Sequence, residues 1–195
     1  TLQTLPIREI RCGLGEVIKH GVLADPELLN RCETFAPNIL AGETEILAEL
    51  VERSCAVKAQ VVAEDEHESG RRAVLNLGHT VGHALETVLS GTIAALPHGE
   101  CVAIGLLAEA RWAVARGDCA NGVPGRIESV MNLLGLPVTP PPVQMKDLVA
   151  AAGFDKKVHR GKLRTAIIKA VGQVVLADID DAEIPHLFHS ISGPQ

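Results

Sequence analysis

Tyrosine is absent from this chain of 195 residues, tryptophan occurs once and phenylalanine three times. So few aromatic rings exclude the stacking platforms that single-stranded nucleic-acid binders use. They also require a core built from Ala, Leu, Val and Ile, in a sequence that is 47% hydrophobic. An Ala- and Leu-rich composition of that kind leans helical. Excess positive charge is lacking too: the formal net charge is −6, which argues against nucleic acid or an anionic membrane as partner. Any anionic substrate therefore needs a local basic pocket. There is no CxxC among the five cysteines (Cys12, Cys32, Cys55, Cys101, Cys119), and their odd number reads as a reduced, cytoplasmic protein rather than a disulfide scaffold. No signal peptide is expected. The longest apolar stretch, Cys101 to Ala115, is broken by Glu109 and Arg111 and reads as a buried helix, not a membrane span. No GxGxxG fingerprint follows a strand, so no dinucleotide-binding domain is expected. The chain starts at Thr1 without an initiator Met, and the expectation is a fragment of a longer protein.

Hydrophobic spacing predicts helices over about Arg8–Leu23, Pro26–Phe35, Glu43–Ala63, Leu75–Leu89, Gly99–Arg116, Pro124–Leu134 and Asp181–Ser190. The segment "DEHESGRRA" reads as a charged turn and "PVTPPPVQ" as a proline-rich linker. Two β-branched runs joined by Gly172-Gln173 predict a hairpin. The expected fold is mainly α, a helical bundle-like single domain over 1–195 with one small β-hairpin near the C-terminus.

Four stretches could carry chemistry. "LNLGHTVGHALE" places His79 and His83 on one helical face, since i and i+4 are neighbours. That spacing suits a metal pair, a catalytic pair or two core histidines alike. "LPHGE" puts His98 at a helix entry, where it could border a pocket or simply occupy a turn. "GEVIKHG" projects Glu16, Lys19 and His20 from one face, as a surface ion pair or as part of a site. Its flanking glycines, Gly13, Gly15 and Gly21, each cost a helix roughly 1 kcal/mol, an expense that close backbone approach would explain. "KAQVVAEDEHESGRRAVLN" brings Lys58, Arg71, Arg72 and Asn76 shortly before the histidine helix. Basic groups there suit a phosphate or carboxylate ligand, while Glu64 to Glu68 reads as a solvated turn.

Taken in order, "GEVIKHG", "KAQVV", the Asp65–Glu86 stretch with "LNLGHTVGHALE", and "HGECVAIG" resemble the C-terminal domain of 3-dehydroquinate synthase, in the sugar phosphate cyclase group. The resemblance runs essentially the length of the chain, through "DKK" at 155–157 and the hairpin. It implies Zn2+ (or Co2+) held by Glu16, His79 and His98, with His83 beside the substrate rather than on the metal. It implies substrate contacts from Lys19, Lys58, Arg72, Asn76 and His83, and from one of Lys156 and Lys157, which of the two being left open. The implied reaction converts 3-deoxy-D-arabino-heptulosonate 7-phosphate to 3-dehydroquinate and phosphate, in the shikimate pathway, with NAD used and regenerated. The partners implied are the sugar phosphate and an N-terminal NAD-binding half that this chain lacks. Without that half the chain is expected to be silent, and its uncovered apolar surface to favour self-association, a homodimer being the simplest form. Cys12 stands where the family pattern leads one to expect Ala or Ser. The rival readings are another sugar phosphate cyclase, the metal domain of an iron-type polyol dehydrogenase, and a non-enzymatic helical metal-binding regulator.

Overall fold

The computed structural model describes residues 2–67, 70–152 and 162–192. Nine α-helices are seen among them: α1 (Ile7–Leu23), α2 (Pro26–Thr34), α3 (Ala36–Leu40), α4 (Thr44–Glu64), α5 (His79–Leu89), α6 (His98–Ala115), α7 (Gly122–Leu133), α8 (Met145–Ala151) and α9 (Ile184–His189). One antiparallel hairpin, β1 (Lys162–Ala170) with β2 (Gln173–Asp180), lies between α8 and α9. The mainly helical expectation with a single hairpin holds.

The organising element is α6. It is buried on every side from Gly99 to Ala110 and again at Trp112 and Ala113, as a helix apolar all round must be. No helix is long and apolar enough to cross a membrane among the described residues. Around α6 stand α1, α5, α7 and α9, with the hairpin against it. Two crossings are closer than side chains allow. Where α1 meets α6, a Cβ on Gly15 would overlap the Gly99 carbonyl, and one on Gly99 would overlap the Cys12 carbonyl. Where α5 meets α6, a Cβ on Gly105 would overlap the Gly78 carbonyl and stand 2.9 Å from Gly82 N. Gly15 and Gly21 are thus explained by close approach; Gly13 faces open space.

The local signals explain most boundaries. Asp25 caps α2, accepting from Leu28 N at 3.2 Å, with Pro26 in the first turn. Several expectations need correction. The histidine helix begins at His79 and not at Leu75: residues Arg71–Asn76 form a 3-10 turn, and Gly78, at φ 77°, turns the chain into α5. The acidic turn is not wholly solvated. Asp65 is buried and accepts from Gly70 N at 2.8 Å and Arg72 N at 2.9 Å, pinning the entry to that turn. The hairpin turns at Val171-Gly172 rather than Gly172-Gln173. Gly172 takes φ 81° and donates to the Val22 carbonyl at 2.8 Å, tying the hairpin to the end of α1. The expected final helix is split, with a 3-10 turn on either side of α9. Helices α3 and α8 were not anticipated; each is too short for a periodic signal.

Gly105→Ala is expected to destabilise the chain by about 2–3 kcal/mol, the scale of overpacking a tight core. Gly125→Ala, on an exposed face of α7 with nothing within 4 Å, should stabilise by about 0.5–1 kcal/mol. Urea denaturation of the two variants checks the contrast.

Candidate functional site

The two glycine crossings bring three helices to one point. Gly15 precedes Glu16 and Gly99 follows His98, so the α1–α6 crossing sets a carboxylate beside an imidazole. Gly78 precedes His79, so the α5–α6 crossing delivers the second imidazole. Glu16 Oε1 lies 3.5 Å from His79 Nε2 and 3.6 Å from His98 Nε2. That oxygen is buried and has no hydrogen-bond partner, which a carboxylate does not normally tolerate.

The other atoms of these groups are held. Lys19 Nζ donates to Glu16 Oε2 at 2.6 Å and to the Leu75 carbonyl at 3.1 Å. His79 Nδ1 lies 3.0 Å from the Leu77 carbonyl, which can only accept, so Nδ1 carries the proton and Nε2 of the neutral ring keeps its lone pair. His98 Nδ1 lies 3.0 Å from Glu86 Oε2, with the same consequence. Carbonyl or carboxylate behind each imidazole is the usual support of a metal-ligating histidine.

The electrostatics suit that role. Burial works to raise the Glu16 carboxyl, but the Lys19 charge and hydrogen bond, with His79 and His20, outweigh it and hold the group below the usual range. Burial lowers His79, favouring the neutral ring. Burial also lowers Lys19, with Glu16 opposing. Behind this set, His20 is buried with Nδ1 2.6 Å from Ser54 Oγ of α4, and burial followed by the Lys19 charge pushes it down to about 4.

His83 is exposed on α5, its ring centroid 5.0 Å from that of His79 and 5.7 Å from that of His98. Its donor nitrogen lies within 4.8 Å of theirs, so the three histidines form a second donor set able to hold an ion. His83, Glu86, Thr87 and Ser90 line an open hollow of about 470 Å³. Among the basic residues, Lys58 is exposed on α4 and its charge bears on Lys19 and His20. Arg72 sits in the 3-10 turn, which packs against α4, and its Nη1 approaches the Glu66 carbonyl at 3.4 Å. Asn76 closes that turn and is exposed. Lys156 and Lys157 lie outside the described residues. A hollow of about 770 Å³ lined by Arg111, Trp112, Glu128 and His189 contains none of the sequence-predicted site residues.

Two supporting residues were not among the sequence candidates: Glu86 and Asp65. Glu86 falls within the quoted motif, and only the fold shows that it reaches His98. All five cysteines are free thiols, and burial pushes Cys32 and Cys101 up to about 12.

Fold and site together define a mostly helical domain in which imidazoles able to hold an ion gather at one point beside the Glu16 carboxylate. Among solved structures it is similar to 2-epi-5-epi-valiolone synthase from Streptomyces hygroscopicus subsp. jinggangensis, determined with NAD+ and Zn2+ bound. The TM-score is 0.84 at 24% identity, over 98% of this chain and 53% of that one. It is also similar to 2-deoxy-scyllo-inosose synthase complexed with carbaglucose-6-phosphate, NAD+ and Co2+, with TM-score 0.79 and 18% identity, over 95% of this chain and 53% of that one. At those identities the likeness speaks for the fold alone.

Sequence comparison is more specific. Residues 13–158 match the family described as 3-dehydroquinate synthase C-terminal, and the chain belongs to it. It is 39% identical to the 3-dehydroquinate synthase of Psychrobacter cryohalolentis over 98% of its length and 50% of the relative's. It is 41% identical to that of Synechococcus sp. over 100% of its length and 53% of the relative's. The chain thus spans about half the length of the curated relatives it matches.

The depressed His20 has a consequence for stability. Between about pH 4 and 6.5 the unfolded histidine binds a proton that the folded one does not, so stability rises with pH across that window and is lost as pH falls. In His20→Asn the slope of unfolding free energy against pH should be shallower there by up to about one proton's worth, measured by urea titrations at stepped pH.

Proposed function

We propose that this chain is the metal- and substrate-binding domain, over 1–195, of a 3-dehydroquinate synthase. In this reading it acts with an N-terminal NAD-binding half on 3-deoxy-D-arabino-heptulosonate 7-phosphate, releasing 3-dehydroquinate and phosphate. The observation that supports it is the orphaned Glu16 Oε1 facing two imidazole Nε2 atoms. Bonds of 2.0–2.1 Å in a tetrahedral site put neighbouring donors about 3.3 Å apart. The 3.5 and 3.6 Å separations around Glu16 are close to that edge, which supports assigning Glu16, His79 and His98 to one ion. The exposed His83 is the weaker candidate, and it is assigned to the substrate instead. The ion, Zn2+ or Co2+, would supply Lewis acidity to a substrate hydroxyl when bound, with positions left open for it.

The chain's own residues would do the rest. Lys19 fixes the rotamer of Glu16 and spends two of its three donors in doing so, leaving one for a substrate oxygen. Glu86 and the Leu77 carbonyl hold the imidazoles in the tautomer that presents Nε2. Lys58, Arg72 and Asn76 are assigned to the substrate's phosphate, carboxylate and hydroxyls, joined by Lys156 or Lys157. His83, beside both ligand histidines, is placed to hydrogen-bond a hydroxyl at the reacting end. The elimination needs a base near the proton α to the new ketone, and the substrate's own phosphate can serve. Basic groups on both α1 and α4 favour a substrate with two anionic ends. The NAD-binding half would supply the hydride acceptor. An apolar hollow of about 240 Å³ between α1 and α4, rimmed by exposed Leu5 and Val51, is one surface for it or a second copy to cover.

Two outcomes are expected. In the first, equilibrium dialysis should show about one Zn2+ or Co2+ per chain. His98→Ala and Glu16→Gln should weaken binding about 100-fold or more, and His83→Ala by less than about threefold. Equal losses from His83→Ala and His98→Ala would favour the three-histidine set. In the second, the chain alone should release no phosphate from the heptulosonate phosphate with NAD beyond a His79→Ala control. It should gain turnover on addition of a separately expressed N-terminal half, since misplacement by ~1 Å already costs about 10²-fold. Turnover by the chain alone would show that the cofactor binds elsewhere.

A further inference from the structure

Helix α5 carries His79 as its first residue and has no cap of its own. Its N-cap is Gly78, which offers no side chain, so the first N–H groups of the helix must be satisfied from outside. The acceptor is Glu109, from the far wall of the site. It lies on α6 and is 3% exposed. Its Oε2 accepts from Gly78 N at 2.7 Å, its Oε1 is buried with no hydrogen-bond partner, and the Thr80 backbone N–H bears on the carboxyl electrostatically. These two amides flank His79.

The placement is built rather than incidental. Gly105 is one turn before Glu109 on the same face of α6, and it is the residue whose missing side chain lets α6 touch the Gly78 carbonyl. The backbone at Gly78 is therefore held on both sides: its carbonyl sits against Gly105 and its N–H is bonded to Glu109. On its other side the Glu109 carboxyl lies within the field of Lys19, which bonds Glu16. A carboxyl so deeply buried is costly, and among the functions assigned above none uses it.

We propose that Glu109 is a positioning residue of the metal site: it serves as the cap that α5 lacks and fixes where His79 stands relative to Glu16 and His98. The inference rests on the Glu16–His79–His98 reading. Reach matters more than charge here, because either a carboxyl or an amide oxygen can accept from Gly78 N. Glu109→Gln keeps an acceptor at the same reach. Glu109→Asp withdraws it by one methylene, and Glu109→Leu removes it.

The test is Co2+ titration of the 195-residue chain, followed by the visible ligand-field bands, with circular dichroism to show that each variant is folded before metal is added. Glu109→Gln is expected to bind within about threefold of the unmodified chain. Glu109→Asp and Glu109→Leu should bind about 10- to 100-fold more weakly, the loss typical when the support of a metal ligand is removed. Should Glu109→Leu fail to fold, Glu109→Asp carries the same comparison. Co2+ affinity at the unmodified level in Glu109→Asp would overturn the proposal, as would a loss in Glu109→Gln equal to that in Glu109→Asp. A His98→Ala arm separates the two readings. If His98→Ala leaves Co2+ binding unchanged, the metal assignment fails. If His98→Ala abolishes binding while Glu109→Asp is silent, the positioning role alone fails.

Discussion

Everything in this domain depends on how closely α6 is approached by its two neighbours. At Gly15–Gly99 and at Gly78–Gly105 backbone meets backbone with no room for a methyl group. Inside helices, as at Gly15 and Gly105, such contacts cost helix propensity, roughly 1 kcal/mol per glycine, and their effect is local. Each glycine adjoins a site residue or that residue's support: Gly15 beside Glu16, Gly99 beside His98, Gly78 beside His79, Gly105 one turn from Glu109. Widening either crossing would move a donor on α1 or α5 away from His98 on α6.

Given that geometry, the electrostatics follow. A carboxylate wedged between two imidazoles has one oxygen shut off from solvent, and Lys19 supplies a counter-charge from the next turn of α1. Lys19 is itself buried and lends its remaining reach to the Leu75 carbonyl, which ties α1 to the 3-10 turn. That turn is pinned at its start by Asp65 and packed on by the hairpin. The hairpin, in turn, is hung from the end of α1 through Gly172. Lys19, Lys58, Arg72 and Asn76 therefore sit on elements linked through the same few polar bonds.

Much of this was legible in the sequence, for identifiable reasons. Periodic apolar spacing located α1, α4, α6 and α7 to within a residue or two, because each is long enough for its buried face to repeat. Glycines inside α1 flagged a close approach, correctly for Gly15 and Gly21 and wrongly for Gly13. The start of α5 was misplaced because "LNLG" continues the apolar pattern, and only the positive φ of Gly78 breaks it. Asp65 was read as solvated because its neighbours are charged, whereas its burial is set by backbone amides five and seven residues on. Glu109 was legible only as an interruption in an apolar run. Its partner, Gly78, is 31 residues away in sequence, and no local pattern records such a contact. His79 and His83 stayed ambiguous at the level of spacing. The fold adds Glu16 from another helix, whose Oε1 stands 3.5 Å from His79 Nε2.

In the proposed site one carboxylate and two imidazoles, not three imidazoles, define the metal position. X-ray absorption spectroscopy of the zinc-loaded chain addresses it directly, since multiple scattering counts imidazole rings. The expected result is a first shell of nitrogen and oxygen at about 2.0–2.1 Å with two imidazoles. A shell requiring three imidazoles would place His83 on the ion and contradict it.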